Sequence, residues 1–387
     1  MVDVVIVAGE SSGDRLAAEL VEGVRAQRAD VRFHGVTGPR MRAAGVETWE
    51  DIETLAVRGL VEVLPALPAI WRLKRQVLAN VRELRPALYI GVDAPEFNLR
   101  IERLLKARGI RTLHYVCPTF WAWRPGRVRT FRDAVDHMLC IFPFEPEALA
   151  RHGVPATFVG HPLTKTRWSE AKPARLKRQL LPEAASLQAP LVALLPGSRL
   201  AEVEAHAALF VETMKLIAQA LPESHFAVPL VTRATRERFE RELWHRAETL
   251  VPRTRLMFGH ADYALRAADV ALVASGTATL EACLLDCPQV VTYRLNPVTA
   301  WLVRRQLTTR WVAQPNIIAG EGIVPERLQR DATPKRLAED ILGYLRDAAR
   351  REAVRAHYAR VRAALQIDEA KPGERLVATV LKTLPPS

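Results

Sequence analysis

Two glycine-bearing turns, each entered from a short apolar run and followed by a helical pattern, constrain this chain more than any other feature. The first is Val4-Val5-Ile6-Val7-Ala8 leading into Gly9-Glu10-Ser11-Ser12-Gly13-Asp14, with Leu16, Leu20 and Val24 at helical spacing behind it. The second is Leu191-Val192-Ala193-Leu194-Leu195 leading into Pro196-Gly197-Ser198-Arg199, with Glu202 and Glu204 opening the next helix. A buried strand, a tight turn and a helix N-terminus together direct free backbone N–H groups at an anion. One such unit opens a doubly wound, Rossmann-like domain. Two of them, nearly half the chain apart, predict two α/β domains facing across a cleft and a two-substrate enzyme that handles phosphate.

Size and composition agree with this division. A chain of 387 residues exceeds one ordinary core. Apolar residues make up 49% and charged residues 25%, a globular balance, and the low aromatic content fits strands built from Val, Ile and Leu. The apolar start is too short for a signal peptide, and no apolar run is long enough to span a bilayer. Cys117, Cys140, Cys283 and Cys287 lack zinc-ligand spacing and are expected to be buried, reduced thiols. The net charge of +12 calls for a polyanionic partner, either nucleic acid or an anionic membrane surface.

Short apolar runs alternate with helical patterns along the whole length, which predicts mainly parallel sheets. The expected strands are 3–8, 32–37, 87–92, 112–116, 138–142 and 156–159, then 191–195, 225–230, 255–258, 270–274 and 289–293. The polar stretch 165–189 between the two sets is expected to be the hinge region. Segment 57–85 combines a Pro-punctuated apolar run ending in Trp71 with Arg72, Lys74, Arg75, Arg82 and Arg85. That is either an element lying in a membrane interface or a core-packed helix with a solvated basic side.

A third turn, Ser275-Gly276-Thr277, follows the apolar run 270–274, with Glu281 further along the helix. Its hydroxyls and helix-terminal amides could hold a diphosphate, and Glu281 could accept the hydroxyls of a ribose. The bland alternative is a helix cap and a surface carboxylate. Arg199, at a strand end, could neutralise a departing diphosphate or could simply pair with Glu202. Asp93 closes the run Leu88-Tyr89-Ile90-Gly91-Val92 and could act as general base towards a substrate hydroxyl, with Glu10, Asp14 and Glu96 as rivals. The chain has no Asp-x-Asp, His-Glu-x-x-His, Walker or G-x-G-x-x-G motif. Two nucleotide-type domains without a metal motif fit a metal-independent sugar-nucleotide glycosyltransferase.

The motifs, taken in order, resemble those of the lipid-A-disaccharide synthases. The matching blocks are Ala8–Asp14, Gly35–Met41, Gly91–Asn98, His114–Val116 through Trp121-Ala122-Trp123-Arg124, Phe142–Glu145, Val159–Pro162, Leu195–Arg199, Ala274–Glu281 and Pro315-Asn316. Departures are slight: Leu16-Ala17-Ala18 stands where the family usually has Leu-Gly-Ala, and Cys117-Pro118-Thr119 where it often has Ser-Pro-Ser. The resemblance implies the GT-B fold, with residues 1–165 as an acceptor- and membrane-facing domain completed by helices from about 355–387, and 166–354 as the UDP-sugar donor domain.

It further implies transfer of 2,3-diacylglucosamine from UDP-2,3-diacylglucosamine to the 6-hydroxyl of 2,3-diacylglucosamine 1-phosphate, with no cofactor and no metal. The implied catalytic residues are Asp93 and Arg199. The donor would be held by Gly197, Ser198, Arg199, Ser275, Gly276, Thr277, Glu281 and Asn316, and the acceptor side formed by Gly9, Glu10, Ser11, Ser12, Gly13 and Asp14. The implied source is a Gram-negative bacterium and the implied location the cytoplasmic face of its inner membrane. Docking is expected through 57–85 and Arg124, Arg127, Arg129 and Arg132, with Trp301–Arg305 as a weaker candidate. Alternatives are a peptidoglycan-precursor glycosyltransferase or a UDP-GlcNAc 2-epimerase of the same fold. A non-catalytic nucleic-acid-binding protein is a third, and no nucleic-acid partner is expected.

Overall fold

The computed structural model describes residues 1–55, 60–122, 125–166, 168–296, 305–366 and 373–386, with the side chains of 60–66 left aside. The chain divides into two compact units: Met1–Lys165 together with Leu365–Ser387, and Thr166–Ala364.

The first unit holds seven strands: β1 (Val2–Ala8), β2 (Val31–Thr37), β3 (Glu47–Asp51), β4 (Leu88–Val92), β5 (Arg111–Tyr115), β6 (His137–Cys140) and β7 (Ala156–Phe158). They pair in the order β3-β2-β1-β4-β5-β6-β7, every pair parallel. Residues 4–8 of β1 and all of β4 are buried, as expected of strands covered by helices on both faces. Helix Glu374–Leu381 docks here, placing Leu376, Val377 and Val380 in the same core as Leu20, Val21 and Val24. Burying side chains of that size is worth about 1.5–3 kcal/mol each, enough to hold this short helix far from its sequence neighbours.

The second unit repeats the plan with β8 (Leu191–Leu195), β9 (His225–Leu230), β10 (Thr254–Phe258), β11 (Val270–Ala274), β12 (Gln289–Tyr293) and β13 (Glu326–Leu328). Their order is β10-β9-β8-β11-β12-β13, again all parallel. In each sheet the chain runs outward from the first strand and then crosses back to its other side. The reversal lies between β1 and β4 in one sheet and between β8 and β11 in the other. Those are the switch points where doubly wound sheets bind ligands beyond the strand C-termini. All four glycine or carboxylate loops singled out in the sequence leave these four strands.

Two expectations change. Strands β3 and β13 have no counterpart in the sequence reading. Both are sheet-edge strands with half-buried or exposed residues, so they lack the apolar run that marks a central strand. The stretch 165–189 is not a free hinge. Helix Pro173–Leu180 seats Leu176 in the second core, Lys177 pairs with Asp269 at 2.9 Å, and Arg266 donates to the Ala171 carbonyl.

Segment 57–85 shows the packing of the second of its two readings. Residues 56–59 lie outside the described set, and a helix spans Leu60–Leu84. Leu73, Val77 and Val81, spaced by four, enter the first core, while Trp71 stays 60% and Leu67 38% exposed. Its described part is therefore a core-packed amphipathic helix with one exposed apolar corner. No helix among the described residues is long and apolar enough to cross a membrane.

Candidate active-site residues

At the switch point of the first sheet, Asp93 and Ala94 both take left-handed backbone (φ 53° and 45°), a conformation that costs non-glycine residues roughly 1–2 kcal/mol each. Strand and helix overdetermine it. The Asp93 N–H donates to the Tyr115 carbonyl at 2.8 Å, and Ala94 is the N-cap of helix Pro95–Lys106. Asn98, wholly buried, donates to the carbonyls of Asp93 (2.9 Å) and Val7 (3.3 Å) and accepts from the Tyr89 hydroxyl. One amide thus ties β1, β4 and the carboxylate-bearing turn together. Gly9 has to be glycine, since a Cβ there would stand 2.2 Å from the Ala94 Cβ.

This clamp holds the half-buried Asp93 carboxyl in place. Burial, and then the neighbouring Glu10 carboxylate, raise its pKa above the usual carboxylate value, against the pull of the Ala94 amide and His114. Behind it lies a fully buried pair, His114 Nδ1 to Glu102 Oε1 at 2.8 Å, whose His114 Nε2 has no hydrogen-bond partner. Among the rival bases, Glu96 is an exposed partner of Arg127 at 2.7 Å. Asp14 is a correction to the acceptor-loop assignment. It is buried, and its carboxylate accepts from the N–H groups of Gly38, Arg40 and Met41, capping the short helix Pro39–Ala43. Ser11 and Ser12 open helix Ser11–Gln27 and are exposed at the strand ends beside Gly9 and Glu10, with Gly13 buried behind them.

At the switch point of the second sheet, Gly197, Ser198, Arg199, Ser275, Gly276, Thr277 and Glu281 line one cavity of about 380 Å³, with Glu202, Pro229, Val231 and Ala261. That volume suits a small ligand. Two expectations are corrected inside it. The amides of Ser198 and Arg199 are taken up by the protein's own carboxylate: both donate to Glu202 Oε2, at 3.0 and 3.2 Å. Gly197, at φ +124°, lets the turn close over Glu202, because a Cβ would lie 2.5 Å from the Glu202 Cβ. Ser275 gives its hydroxyl proton to the Val312 carbonyl, so it latches a neighbouring segment rather than donating into the cavity.

What remains for an anion is the Arg199 guanidinium and the N-terminus of helix Thr277–Leu284. The guanidinium is 63% exposed and 3.9 Å from Glu202, a loose contact that leaves it available. No side-chain hydrogen bond caps the helix at Gly276 among the described residues, and its first residues, Thr277 and Ala278, line the cavity.

A further correction concerns Asn316. It is wholly buried and outside this cavity. Its Nδ2 donates to the Val324 carbonyl and Glu326 Oε1, and its Oδ1 accepts from the N–H groups of Ile323 and Val324. All four of its hydrogen-bonding positions are used inside the protein. Glu326 in turn accepts from the N–H groups of Val312 and Ala313, and Gln314 N donates to Thr279 Oγ1. Asn316 therefore reaches the 275–279 turn only through Glu326 and the 312–314 backbone.

A comparison with known proteins decides what this pair of switch points belongs to. The model of the family described as lipid-A-disaccharide synthetase matches residues 4–380. This chain belongs to the lipid-A-disaccharide synthetase family. It is 43% identical to a lipid-A-disaccharide synthase of Chromobacterium violaceum over 380 residues, covering 98% of this chain and 97% of that protein. It is 45% identical to one of Alkalilimnicola ehrlichii over 363 residues, covering 94% of each.

Solved structures show the fold shared more widely. The UDP-GlcNAc 2-epimerase of Neisseria meningitidis superposes with a TM-score of 0.63 at 11% identity, over 98% of this chain and 100% of that one. MurG of Acinetobacter baumannii gives 0.56 at 14%, over 99% and 100%, and the calicheamicin glycosyltransferase CalG4 gives 0.60 at 16%, over 99% and 98%. The two parallel-sheet units are those of GT-B glycosyltransferases.

Other family blocks carry packing that the sequence reading left unassigned. Trp121, Phe142, Phe144 and His161 form a ring cluster with centroids 4.9–5.8 Å apart at the ends of β5, β6 and β7. Buried Glu145 organises it, accepting from Trp121 Nε1 (3.0 Å), Ile141 N (3.1 Å) and Phe142 N (3.0 Å); burial pushes its pKa up to about 7. Burial pushes His161 down to about 4.

Cys117, Cys140 and Glu145 place ligand-type atoms within 4.8 Å of one another. With both carboxylate oxygens already bonded and both thiols raised by burial, the trio is dry packing rather than a ligand set. All four cysteines are free and buried. Trp123 and Arg124, and residues 301–304 of the weaker docking candidate, lie outside the described residues.

Proposed function

We propose that this protein is the inverting glycosyltransferase that joins two acylated glucosamines. It would move 2,3-diacylglucosamine from its UDP derivative onto the 6-hydroxyl of 2,3-diacylglucosamine 1-phosphate, releasing UDP and a β(1→6)-linked disaccharide 1-phosphate. The observation that carries this reading is the family match over residues 4–380. The first unit supplies the acceptor side and the second the donor side.

Inversion needs one base and one supported leaving group. Asp93 takes the 6-hydroxyl proton as that oxygen attacks the anomeric carbon, and the bond from that carbon to UDP breaks on the opposite face. Its raised pKa strengthens it as a base, while its ordinary value would make it a weak one. Charge growing on the diphosphate is taken up by Arg199 and the amides at the start of helix Thr277–Leu284. Glu281, on the same cavity wall, accepts from the ribose hydroxyls. Glu202, Ser275 and Asn316 keep the two turns in place. Both substrates carry acyl chains, so the protein works at the cytoplasmic face of the inner membrane. The exposed corner Leu67–Trp71 and nearby Arg72 and Arg75 offer an apolar and basic docking surface.

The test is disaccharide formation by purified protein from the two acylated substrates, in detergent with EDTA. Stoichiometric UDP and disaccharide are expected. UDP release without disaccharide, or epimerisation of UDP-GlcNAc, would overturn the reading.

A further inference from the structure

A cavity of about 910 Å³ in the first unit lies at the opposite, amino-terminal ends of its strands. It opens where the helix ending at Leu84, the turn before β4, the turn before β5 and the C-terminal segment 382–386 come together. Among the described residues its charged lining is Arg82, Arg85, Arg108, Arg111 and Lys382, without a carboxylate, over a floor that includes Val81, Leu105 and Leu384. A protein with 43 acidic against 55 basic residues would place acids at nearly every second charge if the surface were blind to sign.

Local partners do not neutralise these groups. Among the described residues none of the five has a carboxylate partner, and Arg111 donates to the Thr383 carbonyl at 3.1 Å. The adjoining groove, which shares Arg111 and Thr383, shows the contrast: Asp136 is present there and Lys106 pairs with it at 3.4 Å. Two helices, Leu60–Leu84 and Pro95–Lys106, end at the cavity. Their carbonyl ends supply the equivalent of about half a negative charge each, which offsets one cation and leaves about four.

We propose that this cavity is a second binding site, for a phosphate-bearing polyanion. Arginine forks match phosphate oxygens two at a time, and the apolar floor takes the uncharged part of the ligand. The site stands apart from the switch-point residues and does not depend on the proposed reaction. Phosphate of this kind comes either from a soluble diphosphate or from a lipid headgroup.

The test pairs two probes with two exposed double variants, R85Q/R108Q and R82Q/K382Q. Inorganic pyrophosphate is titrated calorimetrically into wild type, both variants and R199Q, which separates this site from the cavity of the second unit. Phosphatidylcholine vesicles with and without phosphatidylglycerol are used for cosedimentation. Binding on the order of tenfold weaker in either double variant is expected, the worth of one or two charge-assisted contacts. Loss confined to pyrophosphate identifies a soluble phosphate, and loss of the phosphatidylglycerol-dependent part identifies a headgroup. Retention of both by both folded double variants, within twofold of wild type, would overturn the proposal.

Discussion

The switch points of the two sheets are built on the same strand order yet furnished in opposite ways. Beyond β4 the protein holds a carboxyl on left-handed backbone, clamps it with a buried asparagine and surrounds it with buried titratable groups. Beyond β8 and β11 it presents an exposed guanidinium and an uncapped helix end, with the turn braced from behind by Glu202. A base gains strength from desolvation, which raises its pKa. An anion cradle must instead offer donors that are not already bonded, so its braces lie behind the turn and its charge in front. In the proposed reaction the same fold would thus serve proton transfer in one unit and charge stabilisation in the other.

The contrast is broken most severely by Asp93→Asn, which keeps the shape and removes the base. Single-turnover disaccharide formation should fall about 10²–10⁴-fold, with UDP affinity by calorimetry unchanged. Near-normal turnover would move the base to Glu10. Asn316→Ala acts on the other unit: it leaves several buried partners unsatisfied and should lower unfolding free energy by about 3 kcal/mol in urea melts. If Asn316 touched UDP, affinity would collapse without that loss of stability.

The buried groups of the first unit give a pH signature. His161, near 4 in the fold against 6.5 free, contributes stability above pH 6.5 that is lost as pH falls towards 4. Glu145, near 7 against 4.5, contributes stability below pH 4.5 that is lost as pH rises towards 7. Between pH 4.5 and 6.5 the two slopes oppose each other. His161→Gln removes one, so its unfolding free energy relative to wild type should rise by about 2–3 kcal/mol on acidification across that window. A difference independent of pH would show that His161 titrates normally. Smallest is Arg199→Gln, expected to weaken UDP binding about tenfold, because the helix N-terminus still receives the diphosphate. No change would mean that the side chain stays turned to Glu202.

The residues that were legible in the sequence and those that were not differ in the range of the forces acting on them. Strands β1, β4, β8 and β11 are runs of apolar residues because both faces are covered, and the turns after them announce themselves by glycine and small hydroxyl side chains. Glu47–Asp51 and Glu326–Leu328 carry no such mark, since an edge strand needs only one partner and half its surface meets water. Motif resemblance marked Asp14, Ser275 and Asn316 as important without distinguishing a ligand contact from an internal brace. Asp14 reaches across to residues 38–41, Ser275 to Val312 and Asn316 to residues 323–326.

By itself, then, the sequence determined the two-sheet plan, the loops at its switch points and the family, because strand burial and turn geometry leave local marks. Only the tertiary structure decided which polar atoms in those loops stay open to a ligand. A hydrogen bond is claimed by whichever group the fold brings within about 3 Å, and Glu326 beside Asn316, ten residues away, has no spacing that says so in advance.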